Sequence, residues 1–466
     1  MKTKIKTMRT KYIFSLFFFS GLITVTACKK SEFLNAKPNA NLNVPTTLDD
    51  FQALMDNYNT INQTPGLGDM SSDNYYYSFE DWQAQGIVEQ NCYIWAKDIF
   101  EGNGNVSDWN LSYQQVLVAN IVLEGLVKMS TSGIDNDSYN TIKGEAYFIR
   151  ANAFFNLSQI FAAPYDSSNA SSTPGIPIRL NSDVDRNENR SSIAFTYEQI
   201  IGDLKSAAAL ISQKTPTTNI NRPVKAAAYG LLSKVFLSMR AYDKAGKYAD
   251  SCLQLYSSLI DFNNLSTSSR IPFGRNNAET IYQSYQVSLY SVDGSNGVAQ
   301  VDSSLYNSYD STDLRREIFF RLNGLGKLIL KGTYSGTYFL FSGIAVNEMY
   351  LNRAESYARL RNIPAAMDDL NALLLNRYLT GTYIPKSAAS SAEALDLILS
   401  ERRKELPFSD TRWTDLRRLN KEGWGISLTR VLNSHEYELP PNSNLYTLPI
   451  PPDEAGLSNI EQNSRN

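Results

Sequence analysis

Histidine is almost missing from this 466-residue chain: the one copy, His435, lies in a polar stretch near the C-terminus. That leaves no serine or cysteine triad and no histidine metal cluster to assemble. Glycine-rich phosphate cradles are missing too, since Gly102-Asn103-Gly104 is a lone turn that opens no strand-to-helix pattern. After the first 27 residues no run is apolar enough to span a bilayer. The one stretch with calcium-loop spacing, Asp183, Asp185 and Asn187, has Glu188 where the loop needs glycine and Ala194 where it needs a bidentate glutamate. No cofactor or metal is expected. Paired carboxylates for glycoside hydrolysis remain available, as in any acidic chain, and their separation cannot be read from sequence.

The N-terminus is a leader in layout. Lys2, Lys4, Lys6, Arg9 and Lys11 precede an apolar run, Tyr12 to Ile23, too short to span a membrane, and Val25-Thr26-Ala27-Cys28 follows. The last four residues resemble the bacterial lipobox, which implies cleavage after residue 27 and a lipid-modified Cys28. Several acyl chains on one residue anchor durably, at about 0.8 kcal/mol per buried methylene. Loss of the leader removes five of the 44 basic residues and no acid, leaving 39 against 47 acidic residues and a charge of −8. That charge repels polyanions, and no basic run with interleaved aromatics follows Lys30, so nucleic acid is not an expected partner. Only Cys92 and Cys252 then remain, too few for a disulfide framework, and both read as core residues.

The densest charge lies in Glu401 to Leu419, ERRKELPFSDTRWTDLRRL. Leu395, Ile398 and Leu399 mark a helix running into it; Pro407 breaks that helix, and Trp413, Leu416 and Leu419 mark a second. Arg402, Arg403 and Arg412 with Glu401, Glu405 and Asp415 are expected to form a structural ion-pair network, with guanidinium groups stacked on Trp413. This stretch resembles the C-terminal signature of the SusD/RagB family, surface lipoproteins that hold nutrients for a TonB-dependent transporter. Pro407 and Asp410 stand where that family often has a small or apolar residue and a glycine.

Further segments carry the same resemblance. They are SEFLNAKPN after Cys28, a Trp109-x-x-x-Tyr113 helix followed by Glu145-Ala146-x-x-x-Arg150-Ala151, the Gly175-Ile176-Pro177 turn, NNAETIYQ from Asn276, and YTLPIPPDEAGLSNIEQN from Tyr446. The remaining pattern is helical. Thr47 caps a helix expected through Tyr58; Asn120 is expected as a buried polar linker; Gly144, Ala151 and Ala153 admit a close partner helix. Leu231 to Leu253 and Tyr350 to Leu374 repeat a helix-corner-helix pattern, with Ala245 matching Ala366 and Ala249 matching Leu370. The fold class predicted is mainly α, a tetratricopeptide-like scaffold of stacked hairpins with a large loop-rich insertion. The predicted organisation is a signal peptide at 1–27, a lipidated tether at 28–45, and a single domain at 46–466, loop-rich near 59–106 and 259–343.

Two stretches break the helical rhythm. Ser71 to Trp82 gathers Tyr75, Tyr76, Tyr77, Phe79 and Trp82 in a loop or irregular hairpin, and Leu259 to Gly343 is rich in Ser, Gly, Asn and tyrosines including Tyr290. Exposed rings on loops suit the apolar face of a pyranose. Tyr75, Tyr76, Tyr77, Trp82 and Tyr290 are therefore the expected ligand-binding residues, while Trp109 and Trp413 are assigned to structure. The resemblance implies a non-enzymatic, surface-exposed outer-membrane lipoprotein that binds an oligosaccharide and acts with a SusC-like TonB-dependent transporter. The alternatives are a peptide-binding RagB-like protein, a secreted glycoside hydrolase, and a tetratricopeptide envelope scaffold.

Overall fold

Thr47 opens the first helix, α1 (Leu48–Met55), through a reciprocal capping box: its hydroxyl accepts the Asp50 N–H, and the Asp50 carboxylate accepts the Thr47 N–H at 2.9 Å. The helix stops at Met55, short of Tyr58, because Asn57 leaves helical backbone (φ −74°, ψ 74°) before a separate turn over Tyr58–Ile61. The structure, a computed structural model, describes residues 45–129, 135–287, 290–295 and 297–465. The predicted signal peptide, Cys28 and all but the last residue of the tether lie outside them. From Thr47 onward the chain forms one compact unit.

The unit is mainly helical. After α2 (Leu67–Ser71) and α3 (Phe79–Gln83) come the longer helices α4 (Ser107–Lys128), α5 (Asn136–Phe161), α6 (Ile193–Leu210), α7 (Lys225–Ser238) and α8 (Tyr242–Leu255). The short α9 (Ser303–Asn307) precedes α10 (Val346–Arg359), α11 (Ile363–Leu375), α12 (Ser391–Glu405) and α13 (Arg412–Asn420). Each helix from α4 to α8 packs on the next, α8 packs on α10, and α10 packs on both α11 and α12. Close approach uses the small residues: a Cβ on Gly144 of α5 would stand 2.7 Å from the Ile211 side chain. Arg150 ties three helices together, donating to both oxygens of Asp203 on α6 and, at 2.8 Å, to Asn120 Oδ1 on α4. The Asn120 amide then donates to the Arg179 and Asn181 carbonyls, so this residue is the buried linker its setting suggests. Cys92 and Cys252 are free thiols in the core.

The internal match extends past apolar positions. The register that aligns Ala245 with Ala366 also aligns the two corners, where Arg240 (φ 62°) and Arg361 (φ 65°) both adopt left-handed backbone. At each corner the following N–H reaches back to close the helix, Ala241 to the Phe236 carbonyl at 2.9 Å and Asn362 to the Tyr357 carbonyl at 2.8 Å. Both are the 6→1 bond of a Schellman cap, which satisfies a carbonyl left open at a helix C-terminus.

The Glu401 to Leu419 stretch holds the later helices together, with different partners from those expected. Arg402 does reach Asp415, at 2.7 Å, and Asn352 of α10. Arg418 grips both oxygens of Glu355 at 2.6 and 2.8 Å. Glu401 pairs with Lys404 inside the stretch, at 2.6 Å, but both Glu401 and Glu405 also take cations from outside it: Arg315 contacts both, and Arg377 bridges Glu405 to Glu279. Arg403 and Arg412 turn away to Asp73. The buried Trp413 ring meets Tyr446, with centroids 4.9 Å apart, in place of a guanidinium group. Asp410, at the position where the family often has glycine, has φ 59°.

The insertion is stitched to the N-terminal loops by short ladders. β1 (Gln63–Thr64) pairs in parallel with β6 (Tyr285–Gln286), and β2 (Tyr75–Tyr76) pairs antiparallel with β7 (Gln300–Val301). β5 (Thr280–Tyr282) pairs with β10 (Ile344–Ala345), and β8 (Phe320–Leu322) with β9 (Leu328–Leu330). Elsewhere β3 (Pro174–Pro177) pairs with β4 (Arg190–Ser192), and β11 (Leu428–Leu432) with β12 (His435–Leu439) through a turn with positive φ at Asn433 and Ser434.

Candidate functional site

Three consecutive tyrosines cannot all face one way in a strand, because successive side chains point to opposite sides. On β2 Tyr75 is 1% exposed and Tyr76 39%, and the next residue, Tyr77, is 3% exposed. Tyr75 and Tyr77 are therefore interior, contrary to the expectation that they meet a ligand. Their rings pack edge to face at 5.1 Å, and both contact Tyr93. The Arg430 guanidinium lies over Tyr75, Tyr93 and Trp95, 4.1 Å from the Tyr93 centroid, and donates to the Ser72 and Tyr75 carbonyls. The Tyr75 hydroxyl donates to the Met70 carbonyl at 2.7 Å, and that of Tyr77 meets Ser291 Oγ at 2.7 Å. Burial pushes both phenols above the usual tyrosine range. These residues form a pedestal; Tyr76 is what stands on it, its hydroxyl 3.3 Å from Gln300 Oε1 across the ladder.

Tyr290 is also used internally. Its hydroxyl donates to Asp108 at 2.5 Å, its ring packs against Gly66, and burial followed by the Asp108 charge holds its phenol well above the usual range. Asp108 accepts the Gly66 and Leu67 N–H groups as well, so Tyr290 is one brace of a buried carboxylate at the start of α2. Trp82 is half-buried on α3. Ser78 caps that helix, Phe79 stacks on the Trp82 ring at 5.9 Å, and the indole N–H donates to the Gln90 carbonyl at 3.1 Å. An Asp81–Lys327 ion pair ties α3 to the β8–β9 hairpin.

A ring pair outside the expected set lies beyond Tyr290. Phe339, 39% exposed, stacks on the half-buried Tyr285 with centroids 5.3 Å apart and planes 22° off parallel. Beside it Gln286, Tyr290, Val292, Asp293 and Phe339 line a hollow of about 10 Å³, at the limit for one water. Among the described residues, Tyr76 and Phe339 therefore stand as platforms, and the hollow beside Phe339 is too small for a sugar. No signal within residues 285–339 distinguishes this pair, since Phe339 sits in a glycine- and serine-rich run like its neighbours.

Asp73, between α2 and β2, fixes the loop to the scaffold. It takes Arg412 in a bidentate fork at 2.7 and 2.8 Å and Arg403 at 2.6 Å. Burial alone would raise its pKa, but the two guanidinium groups outweigh that and hold the carboxyl well below the usual range. The rings are thus carried on braced loops. Among the described residues no group of three or more His, Cys, Asp or Glu side chains is placed to hold a metal ion, and no helix is long and apolar enough to cross a membrane.

Fold, loop architecture and signature together define a class: the chain belongs to the SusD/RagB family. One family profile, described as SusD-like, starch-binding associating with outer membrane, matches residues 32–237, and the SusD family profile matches 346–463. The chain is 26% identical to the SusD-like protein P2 of Formosa agariphila over 441 residues, covering 78% of this chain and 81% of that protein. Among solved structures, a SusD superfamily protein from Bacteroides thetaiotaomicron is 24% identical, with a TM-score of 0.69 over 90% of this chain and 100% of the other. A putative sugar binding protein from Bacteroides vulgatus is 22% identical, with a TM-score of 0.70 over 90% and 99%. At these identities the two structures establish the fold.

Proposed function

We propose that this protein is a non-enzymatic glycan-binding lipoprotein of the outer-membrane surface, anchored through Cys28 and acting with a SusC-like TonB-dependent transporter in oligosaccharide uptake. The observation that carries the reading is the set of rings left uncovered on the braced loops: Tyr76 beside the Gln300 amide, and Phe339 backed by Tyr285, with half-buried Trp82 on the neighbouring helix. A flat ring takes the apolar face of a sugar while an adjacent amide takes its hydroxyls. Tyr75, Tyr77 and Tyr290 drop out of the ligand set, because their rings or phenols are already engaged. The family membership and the sugar-binding name of one structural neighbour support the ligand class.

Titration calorimetry against hexasaccharides built from glucose, mannose, galactose and xylose tests this. At least one is expected to bind, and Tyr76→Ala or Phe339→Ala to weaken it about tenfold or more with unchanged thermal stability. Unchanged affinity in both variants sinks the platforms. New reducing ends after incubation would make the protein a hydrolase, and binding of peptides alone would make it RagB-like.

A further inference from the structure

A second aromatic platform lies on the scaffold side of Asp73. After α13 the chain turns through Gly423 (φ 87°) and Gly425 (φ 64°), and a Cβ at either would meet nothing within 4 Å. Glycine is required there for backbone conformation, which other residues reach only with strain. Between the two glycines the turn pushes Trp424 outward, 38% exposed, whereas Trp95, Trp109 and Trp413 are buried. Its indole stacks on no other ring and donates no hydrogen bond among the described residues. With 38% of its surface in water, the indole leaves a large apolar face that no other ring covers.

Trp424 borders a hollow of about 230 Å³ between α9, α12 and α13, the scale of a single sugar ring. Its other walls are mixed. Ser304, Ser308, Ser400 and Asp396 are exposed; the Ser304 and Ser308 hydroxyls donate to Asp302 and to the Leu305 carbonyl, which leaves their oxygens as acceptors, and Leu305 and Leu419 give an apolar floor. Arg403 lies at its edge with Asp73 already on one nitrogen, and a second acid, Asp302, 3.5 Å from another. Those chemistries narrow the occupant. An anion would face Asp396 and find the three cations of the wall already paired, Arg403 and Arg412 with Asp73 and Lys404 with Glu401 at 2.6 Å, and a purely apolar molecule would strip water from the serines and the carboxylate without replacing their hydrogen bonds. A pyranose satisfies every wall: its C–H face stacks on the indole, and its hydroxyls meet the serines, the carboxylate acceptor and the guanidinium donor.

The hollow also adjoins the first platform. Asp73, held by Arg403 and Arg412, is three residues before Tyr76, so their Cα atoms are at most about 11 Å apart. On the other strand Gln300, opposite Tyr76, is four residues before Ser304.

We propose that the Trp424 hollow is a carbohydrate subsite holding one pyranose unit of a chain that also stacks on Tyr76, an inference that rests on the glycan-binding reading above. The test uses the full chain and the same four hexasaccharides. For a hexasaccharide that the wild type binds, the ligand is expected to change tryptophan emission, the larger part of that change to be lost in Trp424→Phe with the remainder belonging to Trp82, and Trp424→Ala to weaken affinity about tenfold. If affinity and emission change survive in both Trp424 variants while Tyr76→Ala abolishes binding, the subsite is wrong and the glycan-binding function stands. If no hexasaccharide binds the wild type, both readings fall together. An exposed turn residue is a safe site for substitution, and a circular-dichroism spectrum that matches the wild type guards against loss of fold.

Discussion

The helical body and the loop face treat their conspicuous residues in opposite ways. In the body the charges go inside: Arg377, Arg402 and Arg418 are buried, each with carboxylates on its donors. On the loop face the aromatics divide ring by ring, Tyr75 and Tyr77 inward and Tyr76 outward. Residue type thus states what a side chain is able to do, and the partner it finds across the chain decides whether that ability faces water. Burial of a charge demands compensation on every side, so the body's arginines are committed to structure. Exposure of a ring demands nothing, so the uncovered rings are the ones free for a ligand.

The sharpest way to break this contrast is to remove one committed charge. Arg377→Ala leaves Glu279 buried without its cation and Glu405 with Arg315 alone. Burial alone would raise the Glu405 pKa, but Arg377 and Arg315 outweigh it and hold the carboxyl below its ordinary value. Breaking such a pair costs about 3–5 kcal/mol, a large share of a typical total of about 5–15 kcal/mol. Arg186→Ala is the control, since its pair with Glu188 at 2.6 Å has a side chain 60% exposed and is worth about 1 kcal/mol at most. Urea denaturation of both variants measures the gap; losses of similar size would erase the distinction between buried and surface pairs.

Within the loop face the comparison runs along a single strand. Tyr75→Ala empties a buried ring site and loses the Met70 hydrogen bond, at a cost of about 3–5 kcal/mol by analogy with other large aromatics. Tyr76→Ala, next to it, is expected to change thermal stability by no more than about 0.5 kcal/mol while weakening the hexasaccharide. Equal destabilisation would place Tyr76 in the core with its neighbours and end its role as a platform.

That strand also marks where the sequence stops being legible. The body could be read because its signals are local: a capping threonine, a proline after α12, small residues on α5 and a repeated corner all act within a few positions. The ion network was legible as a kind of structure and illegible in its partners, because Arg315 and Arg377 lie far from the stretch that needs them. Tyr75, Tyr76 and Tyr77 read as one cluster, since a two-residue strand is too short to display its period and its partner, β7, is more than 200 residues away. Tyr290 looked free because Asp108, which takes its phenol, is 182 positions earlier. Trp424 carried a readable signal, an aromatic between two glycines, overshadowed by the charged stretch just before it.

The body contains its own counterexample, which sharpens the rule. Glu145 on α5 is as buried as Glu405, yet among the described residues its one direct partner is the neutral Gln52 amide, at 3.0 Å. Burial therefore dominates, and its pKa is pushed up to about 7, the attraction of Arg222 offsetting only part of the rise. Between pH 4.5 and 7 the unfolded chain has lost this proton and the folded one keeps it, so the unfolded state gains relative to the folded. The stabilisation from the protonated acid is full below the unfolded pKa and gone above about 7, a loss of about 3 kcal/mol. Glu405 has the opposite sign, because its depressed pKa contributes stability at neutral pH that acid removes. Glu145→Gln, which cannot ionise, is expected to track the wild type at pH 4 and to exceed it by about 3 kcal/mol above pH 7, read by denaturant unfolding at stepped pH. A gap that does not change with pH would mean that Glu145 is ionised in place, and that burial without a cation is tolerated here as readily as burial with one.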